Sequence, residues 1–380
     1  MDQAPDLFAM GIPLFMLLFL IEIIATVLRK KDWYRITDTI NTLSTGVLNI
    51  SSNTLSKFMT IAIYNFFLQF APQELPSSAL WVWVVGFIAY DVCYYWNHRL
   101  GHERNILWAA HSVHHQSEEY NLATSFRQTS FSWVFSWVFY VPMALAGIPL
   151  YVFIFAGTLD LLYQFWIHTR HIPKLGWLEN IMVTPSSHRV HHGCNPRYMD
   201  KNYGGVFIIW DRLFGSYQEE LEDEPVRYGI STPLRSWNPI WANVAFYHQL
   251  ARDSWYTAHW RDKLRIWFMP TGWRPADVND RFPLEKRDEH YQKFDAHPQP
   301  WLQWYFVLQF FMVILGLMAF LSVADQQSLA FNAIMSSCFA MHLYWIGKSL
   351  ENREGIMNRE CVRLLTCLPI YLFWQYSLTL

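Results

Sequence analysis

Charge is scarce in this chain. Lysine, arginine, aspartate and glutamate make up 16% of its 380 residues, against about a quarter in a soluble globular protein. Hydrophobic residues supply 52% and aromatic ones 18%, so the shortfall argues for a protein of the membrane. Cysteine is also sparse. Cys93, Cys194, Cys338, Cys361 and Cys367 form no CxxC pair and several sit in apolar runs, which argues against a disulfide framework or a thiolate zinc site. No GxGxxG loop offers a dinucleotide a phosphate cradle. With a net charge of -2 there is no basic excess for a nucleic acid, and no nucleic-acid partner is expected. The first apolar run, 7–28, has no basic region ahead of it: Asp2 and Asp6 precede it and Arg29, Lys30 and Lys31 follow. It therefore reads as a retained anchor with its C-terminal end in the cytosol. No haem-type module is expected ahead of it.

What is present is a series of apolar stretches. A hydrocarbon core needs roughly 20 mostly apolar residues to cross. Residues 7–28 carry one charge, Glu22, and 301–322 carry none. Further candidates are 79–97, 131–147, 148–167, 328–347 and 361–380, with 43–71 diluted by Asn49, Asn53 and Lys57. The pair 131–147 and 148–167 is broken by "AGIP" at 146–149, where Gly147 and Pro149 favour a turn. Counting crossings from an outside N-terminus puts 29–42, 98–130, 168–300 and 348–360 on one side. Arg29, Lys30, Lys31, Arg99, Arg104, Lys348, Arg353 and Arg359 fall there, as the positive-inside tendency asks of the cytosolic face. The expected fold is all-α: a multi-pass integral membrane protein with a cytosolic, histidine-rich helical cap. Its expected parts are N-terminal anchor helices over 1–78, a catalytic unit with its cap over 79–300, and C-terminal transmembrane helices over 301–380. The acidic run "EELEDE" at 219–224 reads as a solvated loop.

Histidine is concentrated where charge is not. Ten of the fifteen lie between 98 and 192, where even spreading would leave about four. His98 and His102 stand i, i+4; His111, His114 and His115 stand i, i+3, i+4; His188, His191 and His192 repeat that pattern. On a helix each set shares a face. Eight imidazoles exceed the four ligands of one structural zinc, so two metals are expected, and imidazole donors alone do not choose among iron, zinc, copper and nickel. His168 and His171 close the 131–167 run and are further candidate ligands. Asp91 and Asp160 lie about two turns ahead of His98 and His168, as supporting partners of those ligands or as proton-relay groups. The alternative for each acid is a helix-packing hydrogen bond. His248, His259, His290, His297 and His342 stand singly and read as interfacial residues.

The order HxxxH, HxxHH, HxxHH across residues 90–217 resembles the fatty acid hydroxylase superfamily, membrane enzymes that include the sterol desaturases. Within it, "HERNILWAAHSVHHQSEEYNLATSFRQ" (102–128), "YQFWIHT" (163–169), "TPSSHRVHHG" (184–193) and "KNYGGVFIIWDRLFGSY" (201–217) are similar to the ether-lipid-cleaving branch. The three additional C-terminal spans fit that branch as well. One departure is Ser187, where the branch would place a further histidine; lying outside the HxxHH pattern, that position is not expected to be a ligand. The resemblance implies two iron ions held by histidine, O2 activation, and attack on an unactivated C–H bond of a lipid. In the ether-lipid branch it implies a reduced tetrahydropterin as electron donor, hydroxylation of the carbon beside the ether oxygen, and release of an aldehyde and a glycerol lipid. Glu103, directly after His102, matches a glutamate of that branch, where it would hold the pterin or steer a proton; otherwise it is a solvent-facing helix residue.

Zinc has no redox chemistry, so C–H oxidation requires another metal. The substrate has to enter a dry site from the bilayer, and "WVFSWVFY" (133–140) and "YVFIF" (151–155) either line that entry or simply face lipid. Electrons come from a diffusible donor such as a pterin, or from a separate reductase or electron-transfer protein. The ligands report the oxidant and not the substrate, so a hydroxylase or desaturase of a sterol, fatty acyl or aminolipid chain stays open. A metal transporter would place its histidines within the spans, and a zinc hydrolase would show HExxH. Neither pattern is present.

Overall fold

In the computed structural model, residues 7–288, 290–296, 298–351 and 354–377 are described. Asp2, Asp6, His297 and the last three residues of the 361–380 run lie outside them. Among the described residues every regular element is a helix, with no strand beyond three isolated bridges. Four helices open it: α1 (Leu7–Leu28), α2 (Ile36–Leu68), α3 (Leu80–Glu103) and α4 (Asn105–His115). The polar residues of 43–71 do not interrupt α2, whose 33 residues extend about 50 Å at 1.5 Å per residue. Its serines and threonines bond back to the preceding turn, as Ser44 Oγ does to the Ile40 carbonyl at 2.6 Å. In that way they enter an apolar bundle without unsatisfied hydroxyls.

The broken apolar run becomes α5 (Trp133–Leu145) and α6 (Leu150–Trp166). Gly147 turns between them at φ 80°, and a Cβ there would strike the Gln73 carbonyl. The chain continues as α7 (Pro185–His191), α8 (Ile209–Leu213), α9 (Pro239–Tyr256), α10 (Trp260–Arg265) and α11 (Ala276–Arg281). Two of these starts are written plainly in the sequence. Asn238 accepts from the amides of Ile240 and Trp241 ahead of Pro239, and Thr184 forms a capping box with Ser187 around Pro185, satisfying amides that a helix start leaves open. The serine that departs from the ether-lipid branch thus serves the fold by starting α7.

The chain ends with α12 (Pro300–Ala324), α13 (Leu329–Glu351) and α14 (Ile356–Ser377). Among the described residues, α12 and α13 have the length and composition to cross a membrane, at mean hydropathies of 2.5 and 1.3. Residues 13–28, α5 and α6 are apolar but shorter. On α12, Leu302, Phe306, Phe310, Val313, Leu317 and Phe320 are buried at steps of three or four, one stripe of a helix. They pack with Val47 and Leu48 of α2 and Phe339, Leu343 and Ile346 of α13. A second core joins the far end of α2 to α3, α5 and α6 through Tyr64, Val82, Tyr140, Met143 and Val152.

The four free cysteines whose side chains are described make no disulfide, and the Cys367 side chain is not among those described.

Candidate metal centre

Helix α3 continues six residues past the apolar run, carrying His98 and His102 one turn apart. Three elements bring the other histidines against them: α4 with His111, His114 and His115, the turn after α6 with His168, and α7 with His188, His191 and, at its end, His192. Nine imidazoles form two groups. His98, His102, His111, His115 and His191 make one; His114, His168, His188 and His192 make the other, and within each the candidate ligand atoms lie within 4.8 Å of one another. The groups adjoin, since the rings of His115 and His192 stack at 4.4 Å.

The two HxxHH motifs are used in exchanged fashion. On α4 the outer pair, His111 and His115, belongs to the five-histidine group and His114 to the four-histidine group. On α7 the outer pair, His188 and His192, belongs to the four-histidine group and His191 to the five-histidine group. The i and i+4 positions of a helix differ by about 40° of rotation, while i+3 falls on the other side of i. An HxxHH helix lying between two centres therefore sends two rings to one and one to the other.

The nitrogens are set for a cation. Nε2 atoms approach as His98 to His111 at 3.1 Å, His111 to His115 at 3.1 Å, His114 to His168 at 3.3 Å and His168 to His188 at 3.0 Å. Ligands on one ion stand about 3 Å apart when each metal–nitrogen bond is about 2.0–2.1 Å. On the far side of the rings, Nδ1 meets a backbone carbonyl: His98 to Tyr203 at 2.8 Å, His114 to Arg127 at 2.9 Å, His168 to Gln164 at 2.7 Å and His191 to Lys201 at 3.0 Å. A carbonyl only accepts, so in these pairs Nδ1 carries the hydrogen and Nε2 keeps its lone pair toward the centre. Nε2 of His102, His191 and His192 is buried without a partner, a costly state that a bound ion relieves. Burial holds the imidazoles of α4 and α7 and of His168 below their ordinary pKa, His114 at about 4. They are neutral at physiological pH, the form a metal takes. The residues present thus fit a pair of metal ions held by nitrogen alone.

The acids stand behind this layer. Asp91 accepts from the amides of Val206 and Phe207 at 2.8 and 3.2 Å and from the Trp210 indole at 2.7 Å. Asp160 accepts from the Gln164 side chain at 2.5 Å, and Gln164 supplies the carbonyl that holds His168. The two carboxylates converge on Gly205, where a Cβ would lie 2.5 Å from Asp160 Oδ1 and 3.1 Å from Asp91 Oδ1. Asp91 reaches the histidines through the backbone of the 203–207 loop and Asp160 through Gln164, neither by direct contact. Glu103 is one-third exposed and pairs with Arg99 at 2.9 Å, outside both groups. His171 is not brought to either group: its ring lies between Thr26 Oγ1 at 2.8 Å and Arg29 Nη1 at 3.0 Å. Helix α6 ends at Trp166, so the i, i+3 spacing of His168 and His171 no longer places them on one face.

Sequence reasoning missed Asp211 and Arg127. Buried Asp211 accepts from the amides of Tyr203 and Gly204 at 2.7 and 2.8 Å and from Ser216 Oγ at 2.7 Å. It fixes the loop whose Tyr203 and Lys201 carbonyls orient His98 and His191. Burial pushes its pKa up to about 6. Arg127 is 1% exposed and donates to the Val113 carbonyl, Asn41 and Gln116, which seats its own carbonyl under His114. The only sequence signals were an aspartate following an apolar run and an arginine in an otherwise uncharged stretch.

Fold and site together define a helical protein whose paired, metal-ready centres are built from imidazole. Residues 83–216 match the fatty acid hydroxylase family. Over 98% of its length the chain is 35% identical to the human alkylglycerol monooxygenase and 34% identical to that of Danio rerio, covering 84% of each. A more distant relative, the ornithine lipid hydroxylase OlsE of Rhizobium tropici, is 27% identical over 53% of this chain and 63% of its own. No solved structure matches. The chain belongs to the fatty acid hydroxylase superfamily, with the alkylglycerol monooxygenases, and is an oxidoreductase.

Proposed function

We propose that the protein is a di-iron, O2-dependent lipid monooxygenase that hydroxylates the ether carbon of alkylglycerol lipids, giving an aldehyde and a glycerol lipid. The observation that carries this reading is the pair of adjoining imidazole groups in a chain similar along nearly its whole length to alkylglycerol monooxygenases. His98, His102, His111, His115 and His191 hold one iron; His114, His168, His188 and His192 hold the other. Two iron ions supply the redox chemistry for O2 activation that zinc lacks.

The protein's own part is to bind, orient and keep dry. Carbonyls of Tyr203, Lys201, Gln164 and Arg127 hold the ligand tautomers, Asp91 and Asp211 hold the 201–207 loop that carries two of them, and Asp160 holds the Gln164 side chain on α6. Direct catalytic roles for Asp91 and Asp160 are not part of this reading, because Asp91 acts through that loop and Asp160 through Gln164. His171 is likewise left out of the ligand set. Glu103, beside His102 at the rim, is the residue we assign to a reduced tetrahydropterin donor; a separate electron-transfer protein is the alternative source. The chain is read as a multi-pass membrane protein with the site at the cytosolic face. Its parts are anchor helices over 1–78, the catalytic unit over 79–300 and a C-terminal membrane bundle over 301–380, with the lipid arriving from the bilayer between the apolar helices.

A second reading, hydroxylation or desaturation of a sterol, fatty acyl or aminolipid chain, is favoured by the likeness to an ornithine lipid hydroxylase. The deciding experiment is metal content of protein purified without metal-affinity resin, with O2 uptake on an alkylglycerol plus reduced tetrahydropterin. Two irons per chain and pterin-dependent aldehyde release are expected. Iron without aldehyde moves the assignment to the second reading, and zinc alone that ferrous iron cannot replace overturns both.

A further inference from the structure

Glu22 is the one charge in the first apolar run, and at 5% exposure it is buried. A carboxylate kept in an apolar helix is costly unless its oxygens are satisfied. Here three donors satisfy it: the Leu122 amide at 2.7 Å, the Tyr34 hydroxyl and the Thr169 hydroxyl. Thr169 is the residue directly after His168. One turn further along α1, Thr26 meets the His171 ring, and Arg29 meets its other nitrogen. On the near side of His168, Phe15 stacks on Phe165 with centroids 4.2 Å apart. Helix α1 therefore grips the turn 165–171 both before and after His168. That histidine is the one member of its group that neither α4 nor α7 carries, and its backbone lies beyond the end of α6.

We propose that α1 is a wall of the metal centre and that Glu22 is a positioning residue for His168, acting through Thr169. The proposal rests on the reading that the two histidine groups hold metal. Tethering the turn at Thr169 fixes where the His168 ring enters the four-histidine group, while among the described residues the five-histidine group shows no such tie to α1. Disturbing the tether should therefore release one ion selectively.

The test uses the full-length protein in lipid nanodiscs, loaded with ferrous iron under anaerobic conditions. Glu22→Ala and Thr169→Val are compared with Thr169→Ser, which keeps the hydroxyl. Outer-shell partners of metal ligands typically contribute 10–100-fold in affinity. The dissociation constant of one ion should rise by about that factor in Glu22→Ala and Thr169→Val, the other ion being unchanged, and Thr169→Ser should restore two. Amide exchange over 166–172 in the metal-free protein should quicken in the same two variants. Two ions at wild-type affinity in Thr169→Val, or loss of both together, overturns the proposal, and Thr169→Val decides if Glu22→Ala does not fold. If the wild type itself fails to hold two ions, the metal reading fails; unchanged exchange over 166–172 then overturns the tether as well.

Discussion

The Nε2 atoms of His114 and His168 stand 3.3 Å apart although 54 residues separate them in sequence. One comes from a helix whose histidine spacing announces it; the other comes from a turn just beyond the apolar helix α6. Their meeting is what turns a row of histidine motifs into two centres, because without His168 the second group has three members, all from α4 and α7.

The exchanged use of the two HxxHH motifs makes single-histidine variants informative. His114→Ala should deplete the four-histidine group and His191→Ala the five-histidine group, each leaving the protein inserted in membranes with about one ion per chain. Loss of a direct ligand should lower turnover by more than the roughly 10–100-fold that outer-shell changes cause. Metal analysis with a spectroscopic probe of each site checks this. Normal turnover in either purified variant would sink the two-metal assignment.

Asp211 should matter to the metal although it touches none of the ligands. Asp211→Asn replaces one accepting oxygen with an NH2 group facing amides that themselves donate, loosening Tyr203 and with it the carbonyl under His98. Metal affinity of the five-histidine group should fall about 10–100-fold, read by chelator competition, while the four-histidine group keeps its ion. Equal weakening of both would instead indicate general collapse of the cap.

Much of the site is legible in the sequence. His98 and His102, and the triplets at 111–115 and 188–192, carry helical spacing, and spacing survives folding because helix geometry is local. What is not legible depends on where helices stop and which loops return. His168 and His171 have the same i, i+3 separation, yet α6 ends before both and only His168 turns inward. The division of each triplet between two centres follows from α4 and α7 lying between them, a tertiary fact. The carbonyls that orient the rings belong to residues of no particular chemistry, so no motif marks them. In the fold, proline and glycine marked the α5–α6 turn, whereas the polar residues of α2 obscured a single long helix because their hydroxyls are satisfied within it.

Acid should release the metal, and the sign follows from burial. His114 has its pKa lowered to about 4 from an ordinary 6.5, so as pH falls below about 6.5 the unfolded chain takes the proton first. The stability this residue contributes is complete above 6.5 and is lost as pH falls toward 4. Its share is on the order of 3 kcal/mol by pH 4. Protons also compete with the ion for each imidazole, so metal binding should weaken in the same direction. Denaturation midpoints and metal occupancy measured between pH 7.5 and 4.5 check this; a metal-free protein equally stable at both ends would contradict it.

Glu103 separates a donor-binding role from a structural one. Its pair with Arg99 is partly exposed, at 33% and 24%, and such pairs contribute about 0–1 kcal/mol, so Glu103→Gln should leave the melting temperature and metal content nearly unchanged. If the carboxylate holds a reduced pterin, the apparent KM for the donor should rise several-fold while the KM for lipid stays put. Donor titrations at saturating lipid read this directly, and an unaltered donor dependence would move the pterin site away from the rim of His102. Arg99→Met is the control. It frees the carboxylate from its partner without removing it, and donor binding should then survive where Glu103→Gln loses it.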